Sequence, residues 1–184
     1  ADGGLHRLRD IDGDGVFDEH VRLVAYGPGS EHGAHAILDG GDGWLYSVWG
    51  NHVAIPSTLA SPSSPLRDYS EDVLLPGILD PRGHAHEKKM PAGTFWRFRP
   101  DGTNFELLAG GMRNSYDVAM TASGDWFAYD SDMEWDIGAP WYRPPRLIHL
   151  VAGGDYGWRT GSTKLDPSCP DTLPSVVDTD FSSP

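Results

Sequence analysis

Short apolar runs recur along this chain, each bounded by Gly, Asp, Asn or Pro, and helical periodicity is scarce. Such runs, rich in Leu, Val and aromatic residues, are the mark of β-strands. Strands are predicted over residues 5–8, 21–26, 44–49, 94–98, 105–109, 125–129 and 146–151. Tight turns fall between them at Asp42-Gly43, Asp101-Gly102, Gly124-Asp125 and Gly153-Gly154, where glycine accepts the positive φ that short hairpin loops demand.

The runs repeat. Leu5-His6-Arg7-Leu8, Phe95-Trp96-Arg97-Phe98 and Leu147-Ile148-His149-Leu150 share one pattern. After the first two come a turn and a second run, 22–27 or 106–111, then a polar loop and an aromatic strand around Trp44 or Trp126. Residues 53–92, which contain Ser61-Pro62-Ser63-Ser64-Pro65, stretch the first spacing and read as a long inserted loop without regular strands. Without it the unit is about 50 residues, the size of a four-stranded propeller blade. The expectation is an all-β chain, a piece of a β-propeller about three blades long, forming one domain over 1–184. A β-sandwich with coincidentally similar strands is the alternative.

Composition narrows the reading. Of 184 residues, 39% are hydrophobic and 11% aromatic, enough for a core; 23 Gly and 15 Pro suit turns rather than a helical bundle. The net charge of −13 argues against a nucleic-acid partner and for a surface that attracts cations. No apolar run reaches the ~20 residues of a membrane span. The single Cys169 excludes an internal disulfide, a CxxC metal site or a CxxCH haem site in this stretch. Ala1-Asp2-Gly3-Gly4 has no signal-peptide character, and the other end stops just after a strand-like run, so a fragment is expected at both ends.

Four segments carry chemistry. In Asp10-Ile11-Asp12-Gly13-Asp14-Gly15-Val16-Phe17-Asp18, carboxylates at loop positions 1, 3, 5 and 9 with Gly at 6 match the front of a calcium loop. The Val16 carbonyl would supply position 7, but Val21 stands where a bidentate Glu usually closes the site. An acidic turn without an ion is the competing reading. In Ser30-Glu31-His32-Gly33-Ala34-His35, His32 aligns through the repeat with Asn114, so the loop of Arg113 and Asn114 should share its pocket. A neutral His there can take a proton and the Arg can stabilise negative charge; His35 should bond locally. In the acidic segment from Asp130 to Asp136, alternate carboxylates (Asp130, Asp132, Glu134, Asp136) need either calcium or Arg143 and Arg146 to offset their repulsion. Finally, His84, His86 and Glu87 form an HxH motif that suits zinc, without a clear third ligand.

The segment from Gly111 through Arg113-Asn114 to Tyr129, followed by Gly153-Gly154-Asp155-Tyr156-Gly157-Trp158, resembles the soluble quinoprotein glucose/sorbosone dehydrogenase family. Ser30–His35, the acidic segment and Pro140-Trp141-Tyr142-Arg143-Pro144 look closer still to the exported membrane-bound dehydrogenase propellers of planctomycete-type bacteria. The resemblance implies a six-bladed propeller holding pyrroloquinoline quinone and calcium. It implies His32 as general base on a sugar or alcohol hydroxyl, Arg113 polarising the quinone, and Asn114, Ser131 and Asp132 holding the cofactor or its calcium. It also implies export to the periplasm or cell surface, a c-type cytochrome as electron acceptor, and further blades from a longer chain or a second copy. The alternatives are a non-catalytic, calcium-stabilised binding propeller and a calcium-dependent lactonase-like propeller.

Overall fold

The computed structural model describes residues 3–27, 30–67, 88–134, 139–161, 164, 169 and 171–180. Among them there is no helix; the chain is all-β and every strand pairing is antiparallel. Strands β1 (Gly4–Arg9) and β2 (Glu19–Ala25) form a hairpin. Strands β3 (Ala34–Asp39), β4 (Leu45–Trp49), β5 (Gly93–Phe98) and β6 (Glu106–Met112) form a four-stranded meander in chain order. Strands β7 (Asp117–Met120), β8 (Trp126–Asp130), β9 (Arg146–Leu150) and β10 (Val177–Asp178) form a second one.

The two-residue side-chain period of a strand divides the core into two layers. From β4, Tyr46 and Val48 face the second meander, where they meet Val118, Trp126, Ala128, Ile148 and Leu150. Trp49, Trp96 and Phe98 face the opposite way, onto Leu5 and Val24 of the hairpin. Tyr46 stacks on Trp126 with ring centroids 4.2 Å apart, and Trp49 lies 5.0 Å from Trp96. Strands β8 and β9 alternate buried and half-buried positions, as sheets with one core face do. Strand β6 is buried at every position because its far edge is covered as well.

Two segments supply that cover, and neither read as structured from the sequence. Part of the predicted inserted loop returns along β6: the Ser61 and Leu66 amides donate to the Phe105 and Leu107 carbonyls, and Leu66 enters the core. Residues 53–67 and 88–92 contain no strand, in keeping with the irregularity expected there. Residues 153–158 dock along the other half of β6. Gly153 N donates to Leu108 O, Gly110 N to Gly154 O, Tyr156 N to Gly110 O and Trp158 N to Gly111 O. Gly111 has φ 76°, and a Cβ there would collide with the Asp155 carboxylate and the Tyr156 amide.

The predicted strands match β1, β2, β4, β5, β6, β8 and β9, whereas β3, β7 and β10 fall outside those runs. Strands β3 and β7 are sheet edges that lie against each other. They bury little: Ile37 and Met120 are exposed, and Ala36 sits in a bulge at φ 38°. Weak burial leaves weak periodicity to read. Trp44 and Trp126 also differ in setting. Trp126 opens β8 inside the core, while Trp44 precedes β4 beneath the guanidinium groups of Arg97 and Arg99, at 4.4 and 3.8 Å.

Candidate functional site

The loops that enter β3 and β7, and the turn that leaves β4, meet at one end of the sheets. Asn51 N donates to Arg113 O at 2.8 Å, and the Asn114 side-chain amide donates to Glu31 O at 3.3 Å. Gly50 N donates to Gly33 O at 2.6 Å. A Cβ at Gly50 would run into Asn114 Oδ1 and the His32 carbonyl, so only glycine lets these loops close up. His32, Arg113 and Asn114, more than 80 residues apart in the chain, are therefore brought together.

His32 is only 5% exposed. Its Nδ1 lies 2.6 Å from Asn51 Oδ1. With that oxygen as acceptor, Nδ1 carries the proton and Nε2 keeps its lone pair, 3.6 Å from Glu31 Oε1. Burial pushes the His32 pKa down, opposed by the Asn51 hydrogen bond and aided by the Arg113 charge. His52 stacks on it at 4.3 Å and accepts from, or donates to, Ser30 Oγ at 2.7 Å. Burial, and after it the charges of His32, Lys88 and Arg113, lower His52 to about 4. Beside the pair lies a cavity of about 170 Å³, lined in part by Gly4, Tyr26, Ser30, His32, His35 and His52.

Asn51 and His52 belong to this site although no motif marks them. The repeat held a partial signal: Asn51 is the second residue after β4, as Asp132 is after β8. Asn51 is 4% exposed, and its Nδ2 has no acceptor among the described residues. His35 does not bond locally as expected. Its Nε2 reaches Asn114 Oδ1 at 3.1 Å, and its ring packs on Tyr116.

The acidic segment divides. Asp130 is fully buried and anchors the Arg113 loop: its carboxylate accepts from Arg113 N, Asn114 N and Ser115 Oγ at 3.0–3.1 Å and pairs with Arg146 at 3.0 Å. Arg146 is itself buried and donates to Tyr156 O at 2.6 Å, which ties the 153–158 segment to the same anchor. The Arg113 guanidinium donates to Ser131 Oγ and Glu134 Oε2, both at 3.1 Å, and lies 3.9 Å from Asp132. So Arg146 faces Asp130, Arg113 faces Glu134 and Asp132, and Arg143 pairs its backbone with Met133. Burial first, then the Glu134 charge, raises the Asp132 pKa, partly offset by Arg113. Asp136, like His84, His86 and Glu87, lies outside the described residues.

At the hairpin tip, Asp10, Asp12 and Asp18 bring ligand oxygens within 4.8 Å of one another. Asp14 is not one of this group; its Oδ1 accepts from Val16 N at 2.8 Å. The group's oxygens also hold the turn, with Asp10 accepting from Gly13 N and Gly15 N and Asp18 from Ile11 N. Val21, at loop position 12, lies within β2 opposite Arg7.

No protein-family model and no curated protein matches the chain.

Proposed function

We propose that this chain is part of a β-propeller dehydrogenase of the quinoprotein type, acting on a sugar or alcohol with His32 as general base. The observation that carries the reading is the buried His32, its Nδ1 held by the Asn51 side chain, with the Arg113–Asn114 loop against it. The two successive four-stranded meanders support the propeller, as consecutive blades, with the β1–β2 hairpin as the outer half of a preceding one. Export, a c-type cytochrome acceptor and completion by further blades belong to the same proposal.

The donor chemistry fits an oxygen-rich acceptor. Asn51 Nδ2 is a buried N–H lacking an acceptor among the described residues, and Arg113 adds a guanidinium. Asp132 and Glu134 would oppose an anionic group unless a cation lay between, which is where calcium would serve. Arg113, Asn114, Ser131 and Asp132 would hold pyrroloquinoline quinone; when bound, it supplies the two-electron acceptor for the hydride leaving the carbinol carbon. His32 Nε2 takes the hydroxyl proton as that carbon becomes a carbonyl. The Glu31 carboxylate then steadies the imidazolium. A second calcium at Asp10, Asp12 and Asp18 would be structural.

A non-catalytic binding propeller has one observation in its favour: the Arg113 guanidinium is already engaged by Ser131 and Glu134. Dye reduction by the intact protein, after addition of the quinone and Ca²⁺, separates the readings. His32→Ala should abolish turnover with quinone binding retained, and Arg113→Ala should weaken both. A wild-type protein that neither binds quinone nor reduces dye overturns the dehydrogenase reading; turnover of lactones without quinone then favours the lactonase, and its absence the binding propeller.

A further inference from the structure

We propose that His6 and His20 form a surface site for a divalent transition metal, with Cu²⁺ preferred and Ni²⁺ next. Neither histidine stands in a sequence motif, and strand register alone brings them together. Leu8 pairs with His20 and His6 with Arg22, so the two imidazoles sit diagonally on one face of the β1–β2 hairpin. Diagonal neighbours in an antiparallel pair are within reach for long side chains. Here His6 Nδ1 and His20 Nε2 share a hydrogen bond at 2.7 Å, with ring centroids 4.8 Å apart.

Two imidazole ligands and the order of divalent affinities favour Cu²⁺ above Ni²⁺, and the bound ion would displace the proton that the two rings share. His20 is exposed, so water can fill the remaining positions. Among the described residues on this face, Arg22 lays its stem over Gly4 and Leu8 is exposed; neither is a ligand. The bound ion would cross-link two strands that pair with no third strand among the described residues.

Cu²⁺ alone, titrated into the intact protein and followed by calorimetry and electron paramagnetic resonance, tests the site. A first equivalent with an axial signal and coupling to two imidazole nitrogens is expected. His20→Ala and His20→Gln, at an exposed position and with far-UV circular dichroism checked on the same samples, should weaken that equivalent by at least the ~10–100-fold that even outer-shell partners of metal ligands contribute. His149→Ala should leave it unchanged. A first equivalent that survives both His20 substitutions, lacks imidazole coupling, or is displaced by excess Ca²⁺ into the acidic loop overturns the proposal.

Discussion

A histidine acts as a base near neutral pH only when its surroundings fix which ring nitrogen bears the proton. Asn51 does this for His32 with a neutral oxygen, so burial keeps the upper hand and the ring stays uncharged. Asn51→Asp puts a negative charge in the same place. It should raise the His32 pKa by about 1–3 units, readable by NMR titration of the ring; an unchanged value would show that Asn51 does not set it. His32 and His52 both titrate lower folded than unfolded, so between the folded values and ~6.5 the unfolded chain binds more protons. The stability they allow is complete above pH ~6.5 and is lost as pH falls through the window, which for His52 extends to about 4. Urea unfolding between pH 8 and 4 should show this decline, and His52→Asn should make it shallower.

Among the elements, the turn after β6 is the one the site depends on, and one carboxylate fixes it. Asp130 sits at the end of β8, accepts the Arg113 and Asn114 amides and neutralises buried Arg146. Removing one partner of a buried pair leaves the other uncompensated, at about 3–5 kcal/mol. Asp130→Ala should cost that much in chemical denaturation, where Glu134→Ala, at an exposed position, should cost under ~0.5 kcal/mol. Leu66 lies in a stretch with a loop's composition, yet its side chain packs with Trp49, Trp96 and Phe98. Leu66→Ala should therefore lower stability by about 2–5 kcal/mol, as in a core. A loss within the range of an ordinary surface substitution would mean that residues 53–67 are dispensable to the fold.

For the molecule as a whole, a charge of −13 makes cations natural ligands and sets their expected effect. The hairpin-tip carboxylates already accept backbone amides within their own loop, so the turn holds without an ion. Chelation should then lower the melting temperature without unfolding the chain. Calcium at about a hundredfold over its Kd should stabilise by ~2.7 kcal/mol, roughly 5–10 °C at this size. Asp12→Asn should reduce that shift; equal shifts in variant and wild type would place the calcium elsewhere.

The sequence by itself determined the all-β class and the strands with a buried face, because burial imposes a two-residue period that composition records. It also marked His32, Arg113 and Asn114 as partners, through the offset between repeating loops. What it left undetermined shares one physical cause: interactions made at edges and across the chain leave no local pattern. Strands β3 and β7 bury too little to be periodic. The cover over β6 is made by backbone hydrogen bonds from Pro- and Gly-rich segments, to which side-chain hydrophobicity is blind. Asn51 and His52 are polar residues in a turn, given their surroundings only by the loops folded over them. Asp130 reads as one of four alternating acids; only the approach of Arg146 and two amides from β6's turn separates a buried anchor from its neighbours. That separation is a matter of desolvation, which the tertiary structure alone decides.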